Sequence, residues 1–257
     1  MSGSATRRLG VMVLATAMLA GPGRGEAAEI RVLSAGAVRA IVTELSQAFE
    51  KETGHKVSLA FGTVGVTRQR LATEPADVVI MSDVAIDESI KQASIVPGTR
   101  TDIARTGMGV GVRDGAPTPD ISTAEAFKRS LLAAKSLTYV DPAQGATSGI
   151  HFAAVLQTFG IADAMKPKTT LVPGGYPAEL VAKGEVEMVV HQISEIVPVK
   201  GVTLVGPLPK EVQKVTIYAA GLASKSSNAE LARGFVAFLN RPAFRAKFAE
   251  AGLDYKE

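Results

Sequence analysis

Short apolar, β-branched runs alternate with longer segments of helical periodicity along most of this chain. Strand-like runs occupy residues 30–33, 56–61, 77–81, 137–140 and 187–190. Helical patterns occupy residues 38–49, 66–71, 123–133, 148–159, 178–183, 228–239 and 242–251. Strands that alternate with helices are typical of folds in which the helices cover a largely parallel sheet. The alternation therefore predicts an α/β architecture with mostly parallel sheets.

Two further strand-like runs, at residues 106–112 and 215–222, are rich in glycine or other small residues. Small residues allow close backbone approach, which is expected where a strand passes between two lobes. We therefore expect two crossings and two lobes. One lobe would consist of residues 28–106 and 221–257, and the other of residues 107–220.

The N-terminal segment has the order of a secretory signal peptide. Arg7 and Arg8 precede an apolar stretch at residues 9–20, and small residues follow up to Ala27 and Ala28. An apolar stretch of this length is too short to span a bilayer comfortably. We expect a signal peptide at residues 1–27, with cleavage after Ala28 as the alternative, and export to the periplasm by the general or the twin-arginine route.

Charge and cysteine content exclude several classes of partner. Removal of residues 1–27 would reduce the 28 basic and 25 acidic residues to 25 and 24, so the net charge would fall from +3 to +1. A nearly neutral protein has no excess positive charge for nucleic acid or anionic lipid. The chain contains no cysteine, which excludes disulfides and thiolate metal sites. We expect a monomer that binds a small solute and no nucleic acid.

The sequence lacks the usual catalytic signatures. His55, His151 and His191 are far apart and form no His-Glu-x-x-His motif, so no metal site is predicted. In residues 145–149 the serine lies one place late for a nucleophile elbow, and residues 107–111 lack the spacing of a dinucleotide fingerprint. We therefore expect neither a cofactor nor an enzyme.

Three loops share another pattern, in which a strand ends, small or hydroxyl residues follow, and a helix begins. They are residues 34–37, 61–65 and 145–149. A helix start leaves backbone N–H groups unpaired and carries the positive end of the helix dipole, so it attracts anions. In open α/β sheets, ligands lie beyond the carboxyl ends of the strands, where these loops are expected. Turning and capping would also explain each loop alone, but together the loops predict a small anion held between the lobes.

The order of several motifs resembles that of the periplasmic molybdate-binding proteins, which are type II solute-binding proteins of ABC importers. The motifs are residues 30–37, 53–57, 76–80, 141–142 with 148–150, 184–187 and 235–239. The resemblance implies a two-lobed type II periplasmic-binding-protein fold with two crossover strands. It also implies that hydroxyls and backbone amides hold an oxyanion, that the lobes close around it, and that the loaded protein delivers it to a membrane permease.

The resemblance also assigns ligand-binding positions. They are Ala37, Thr63, Val64, Ser148, Gly174, Gly175, His191 and Gln192. Ala37 replaces a serine of that family and His191 replaces a tyrosine, so two of the family's donors are changed. A buried anion needs a full set of donors. The expected ligand is a molybdate- or tungstate-like oxyanion, with a carboxylate or another small polar anion as the alternative.

Three other residues have two interpretations. Arg39 and Arg68 lie just inside two predicted helix starts, where an arginine either grips a carboxylate or faces solvent. Tyr176 either forms part of the site or packs against its surroundings. A sensor that presents its liganded form to a membrane receptor would have the same fold, and sequence does not separate it from a transport protein.

An exported hydrolase is the remaining alternative. It would use Ser148 as the nucleophile, His151 or His191 as the base, and a carboxylate to orient the base. Asp141 is the nearby carboxylate in the sequence. The position of a carboxylate relative to these histidines therefore separates a hydrolase from a binding protein.

Overall fold

The computed structural model describes residues 27–254. The strands are β1 (Glu29–Ala35), β2 (Lys56–Gly62), β3 (Val78–Ser82), β4 (Thr101–Thr106), β5 (Met108–Arg113), β6 (Leu137–Val140), β7 (Thr169–Val172), β8 (Met188–Gln192), β9 (Val202–Pro207) and β10 (Thr216–Leu222). The helices are α1 (Arg39–Thr53), α2 (Val64–Thr73), α3 (Asp83–Lys91), α4 (Ala124–Ala133), α5 (Thr147–Thr158), α6 (Ala162–Met165), α7 (Ala178–Ala182), α8 (Ile193–Ile196), α9 (Ala229–Leu239) and α10 (Arg245–Glu250). Apart from Ala27, the predicted signal peptide lies outside the described residues.

Two five-stranded sheets form the framework, with the strand orders β2-β1-β3-β10-β4 and β7-β6-β8-β5-β9. In each sheet one strand, β10 or β5, is antiparallel to its neighbours, and the other four strands share one direction. The predicted α/β architecture with mostly parallel sheets is confirmed. We call the part of the chain built on the first sheet the first lobe and the part built on the second sheet the second lobe.

The chain passes between the two sheets twice. β4 ends at Thr106 in the first sheet, and β5 begins at Met108 in the second. The second crossing lies before Thr216, because all of β10 pairs with β3 and β4 in the first sheet. The sequence pattern placed that crossing at residue 221, since it treated the run at 215–222 as a link rather than as a strand of the sheet. That the lobes are separate domains stays a prediction.

The first lobe has an apolar core between its sheet and the helices α1 and α9. Ile41, Val42 and Leu45 of α1 are at most 1% exposed, as the helical period predicts. Phe49, one turn further on, packs edge-to-face on Phe235 of α9 with 5.2 Å between ring centroids. These contacts fix the direction of α1, whose first residues face the second lobe.

The second lobe has its own core, centred on aromatic residues of three elements. Phe152 of α5 contacts Tyr139 of β6 edge-to-face at 5.0 Å and Phe127 of α4 at 6.3 Å. This packing holds the start of α5 at the carboxyl end of β6. Within residues 27–254, no helix combines the length and the apolar character that a membrane crossing requires.

Candidate functional site

A cavity of about 330 Å³ lies between the lobes, beyond the carboxyl ends of β1, β2, β6, β7 and β8. The first lobe lines it with Ala35, Gly36, Ala37, Arg39, Phe61, Gly62, Thr63, Val64, Val66 and Tyr218. The second lobe lines it with Val140, Ala146, Thr147, Ser148, Pro173, Gly174, Gly175, His191 and Glu195. This is where ligands lie in open α/β sheets. The three loops singled out in the sequence therefore converge on one cavity.

Most positions assigned by the resemblance reach the cavity. Those that line it are Ala37, Thr63, Val64, Ser148, Gly174, Gly175 and His191. Gln192 lies behind the cavity wall and is buried. Its Nε2 donates to Oγ1 of Thr147 and to Oη of Tyr218, both at 3.2 Å, so it supports two lining residues. The contact of each residue with a ligand stays a prediction.

The start of α5 offers backbone donors to the cavity. Its N-cap residue is Ala146, which has no side-chain oxygen and forms no capping hydrogen bond. The N–H groups of Thr147 and Ser148 therefore have no capping acceptor and lie at the positive end of the helix dipole. Both residues line the cavity. This helix start suits a negatively charged ligand.

The Thr63 hydroxyl joins the two lobes. Its oxygen accepts a hydrogen bond from the N–H of Val66 at 3.1 Å, which caps α2. The same hydroxyl donates to the backbone carbonyl of Gln144 in the second lobe. Its proton therefore already has an acceptor when the lobes are together.

Arg39 is the one cation among the described residues that line the cavity. Its guanidinium lies 4.4 Å from the centre of the Phe61 ring and 6.0 Å from that of Tyr176. Within residues 27–254 the guanidinium forms no ion pair with a carboxylate. Arg68, by contrast, pairs with Glu88 at 2.9 Å on the surface. The structure thus separates two arginines that the sequence left equivalent.

A chain of three polar side chains crosses the second-lobe wall. Oγ of Ser148 lies 3.0 Å from Nδ1 of His191 in hydrogen-bond geometry. Nε2 of His191 lies 3.2 Å from Oε2 of Glu195, without hydrogen-bond alignment. All three side chains are buried, at 3%, 2% and 7% exposure. A hydroxyl, an imidazole and a carboxylate thus lie next to one another at the cavity.

The carboxylate beside the histidine is not the one suggested by the sequence. Asp141 accepts a hydrogen bond from the N–H of Ala143 at 2.9 Å and caps a short turn. His151 is also elsewhere, with Nε2 2.8 Å from the carbonyl oxygen of Val212. Glu195 takes the position proposed for Asp141, because the turn after β8 brings α8 back toward the histidine.

The Glu195 carboxylate affects the titration of two phenols. Burial raises the pKa of Tyr218, and the negative charge of Glu195 raises it further. Burial also raises the pKa of Tyr176, where Glu195 adds to the effect and Arg39 opposes it. Both phenols therefore remain protonated near neutral pH. Among residues 27–254, no three His, Asp or Glu side chains are grouped so that they could hold a metal ion.

A family model described as bacterial extracellular solute-binding protein matches residues 30–254. The chain belongs to this family. Together with the molybdate-binding relative and structure described next, this match confirms the resemblance to periplasmic molybdate-binding proteins and the two-lobed type II fold. Members of the family bind solutes outside the cytoplasm.

Two curated relatives of this solute-binding protein differ in their named roles. An aconitate isomerase from a Pseudomonas species is 34% identical over 91% of this chain and 90% of its own length. The molybdate-binding protein of Escherichia coli is 25% identical over 93% of each chain. Among solved structures, the periplasmic molybdate-binding protein of Azotobacter vinelandii has a TM-score of 0.74 and 18% identity, over 89% of this chain and 100% of that one. One of these relatives is named as an enzyme, so the expectation that this chain is not an enzyme is not confirmed.

Proposed function

We propose that this solute-binding protein captures a small carboxylate anion, such as a di- or tricarboxylate, between its two lobes. The observation that carries the proposal is the Arg39 guanidinium, which lines the cavity without a carboxylate partner among the described residues. A planar guanidinium matches a carboxylate with two parallel hydrogen bonds. Stacking on Phe61 restricts the guanidinium plane, so less conformational freedom is lost when the anion binds.

Several features favour a carboxylate over the molybdate-like oxyanion first expected. Ala37 has no hydroxyl, and the Thr63 hydroxyl is engaged across the lobes. The cavity, at about 330 Å³, falls within the range of ~300–1,000 Å³ that is typical of sites for small organic molecules. A tetrahedral oxyanion would leave part of it unfilled. The relative named for aconitate, a tricarboxylate, supports the same class of ligand.

Transport is the role proposed for this capture. The predicted signal peptide and the family together support a location in the periplasm, where the closed, liganded form would deliver its anion to an ABC permease. A ligand that contacts both lobes favours the closed form over the open one. The protein acts as a monomer in this scheme, since both halves of the cavity come from one chain.

A second candidate function is isomerisation of a bound unsaturated carboxylate. The neighbouring side chains of Ser148, His191 and Glu195 at the cavity favour it, because such side chains transfer protons. The name of the Pseudomonas relative supports this possibility as well. Capture and isomerisation share the same site and the same class of ligand.

Calorimetric titration of residues 28–257 tests the capture proposal. The panel is citrate, cis-aconitate, trans-aconitate, tricarballylate and succinate, with molybdate, tungstate and sulfate as the competing class. We expect saturable one-to-one binding of at least one di- or tricarboxylate and none of comparable affinity for the oxyanions. Tight binding of molybdate or tungstate, with no heat from any carboxylate, would contradict the proposal.

A further inference from the structure

Glu195 is a buried carboxylate inside a cavity that otherwise suits an anion. It is the one carboxylate among the described residues that line the cavity. Its side chain lies at the contact between the lobes, where Oε1 is 3.0 Å from the position a Cβ would have on Gly36. A negative group here faces both the second-lobe wall and the first lobe.

Such a group lowers the affinity for an anion. Like charges repel strongly where water is excluded, so repulsion between Glu195 and a bound anion destabilises the complex. No donor among residues 27–254 forms a hydrogen bond to the Glu195 carboxylate. Nε2 of His191 lies 3.2 Å from Oε2 of Glu195 but is not aligned to form a hydrogen bond with it. Capture alone gains nothing from this arrangement, whereas a proton acceptor needs a free carboxylate.

We infer that Glu195 is a catalytic base that removes a carbon-bound proton from an unsaturated polycarboxylate held in the cavity. This inference rests on the proposed function, because the same anion must first bind between the lobes. The substrate class has a methylene group next to a carbon–carbon double bond and to carboxylates, which together acidify its C–H bond.

The step is balanced without an oxidant or a cofactor. The C–H bond breaks, its proton forms an O–H bond on Glu195, and the electron pair spreads over the double bond and the conjugated carboxylate. The proton then adds to the far end of the three-carbon unit, so that the double bond moves by one position. Arg39, the cation at the cavity, stabilises the additional negative charge while the proton is on Glu195.

His191 and Ser148 serve as positioning residues for this base. The 3.0 Å contact between Nδ1 and the Ser148 hydroxyl fixes the imidazole ring, whose other nitrogen borders the carboxylate. This neighbouring ring limits the rotamers open to Glu195, whose side chain lines the cavity.

The test measures hydrogen–deuterium exchange and isomerisation of trans-aconitate by proton NMR, with residues 28–257 in D₂O. The wild-type protein is expected to exchange the methylene protons and to form cis-aconitate faster than buffer does. Glu195→Gln should reduce both rates at least about a hundredfold, as expected for loss of a general base. Its affinity for tricarballylate, which has no double bond, should stay equal or rise, because a repelling charge is removed.

Two further variants keep the result interpretable. Glu185→Gln makes the same chemical change at an exposed position outside the cavity and should behave like the wild type. Glu195→Asp retains the charge but withdraws it by one methylene group, so it should bind tricarballylate and lose most of the exchange. Binding with neither exchange nor isomerisation in the wild type would overturn the inference and leave the capture proposal standing. Undiminished exchange in a folded Glu195→Gln variant would overturn the assignment of the base, and failure of the wild type to bind any carboxylate would overturn the capture proposal itself.

Discussion

Gly65 of the first lobe and Gly145 of the second lobe touch backbone to backbone beside the cavity. The N–H of Gly65 donates to the carbonyl of Gly145 at 3.1 Å. A Cβ on Gly65 would lie 2.7 Å from the carbonyl oxygen of Gln144, and one on Gly145 would lie 2.8 Å from Cα of Gly65. Neither glycine can carry a side chain without separating the lobes, because both obstacles are backbone atoms.

Gly65→Ala is therefore expected to hold the lobes apart. The liganded variant should have a larger radius of gyration in small-angle X-ray scattering than the liganded wild type, and a weaker affinity for the anion. Gly234→Ala is the matched control, since a Cβ there meets no atom within 4 Å. A Gly65→Ala variant that closes to the wild-type radius with unchanged affinity would show that this contact does not limit closure.

Removal of the Arg39 guanidinium should weaken carboxylate binding. A hydrogen bond to a charged group contributes ~1.5–3 kcal/mol, and each ~1.4 kcal/mol is tenfold in affinity. Arg39→Gln should thus raise the dissociation constant for tricarballylate at least about tenfold in calorimetry, and Arg39→Lys should recover only part of the loss. Arg68→Gln, at the exposed arginine paired with Glu88, should leave it unchanged. Equal affinities for the two glutamine variants would remove Arg39 from the site.

Thr63 should affect both stability and closure. Thr63→Val loses the cap on the N–H of Val66 and the hydrogen bond to Gln144, while Thr63→Ser retains the hydroxyl for both. Loss of an N-cap lowers the free energy of unfolding by about 1 kcal/mol. Urea denaturation should show that loss for valine and little change for serine, and calorimetry should show weaker ligand binding for valine alone. If the two variants are equally stable and bind equally, the hydroxyl has neither role.

α5 lies so close to the end of β6 that we expect no side chain to fit at Gly149. A Cβ there would lie 2.2 Å from the carbonyl oxygen of Val140, a backbone atom that no rotamer change can move. Overpacking of this kind costs ~1–3 kcal/mol, so Gly149→Ala should have a clearly lower urea midpoint. Gly234→Ala, also in a helix, should be as stable as the wild type or up to ~1 kcal/mol more so. An unchanged midpoint for Gly149→Ala would mean that α5 can shift freely on the sheet.

The sequence predicts elements well where one face is deeply buried. The helix expected at residues 228–239 is observed as α9. The strand expected at residues 187–190 is observed as β8, which ends two residues later. Three strands that the pattern missed, β4, β7 and β9, are at the edges of their sheets. All residues of β7 and β9 and half of those of β4 are half-exposed or exposed, so these strands lack a continuous apolar run. The helix expected at 242–251 begins as a 3₁₀ turn, and α10 starts at Arg245.

The candidate site was only partly predictable for a different reason. The strand–loop–helix pattern located the loops that line the cavity, because that signal is local. Arg39 could not be assigned from the sequence, since a helix start that faces solvent and one that faces another lobe have the same local pattern. Glu195 was missed because α8 has only four residues and shows no period. The available signal was a glutamate four residues after His191, the one carboxylate in the largely apolar run at residues 188–199.

A crystal structure of residues 28–257 with tricarballylate tests the central claim most directly. We expect the anion in the cavity between the lobes, with one carboxylate on the Arg39 guanidinium at ~2.7–2.9 Å and another at the first-turn amides of α5. Density for tricarballylate elsewhere on the molecule, or a cavity that accepts molybdate and leaves tricarballylate in solution, would contradict the account.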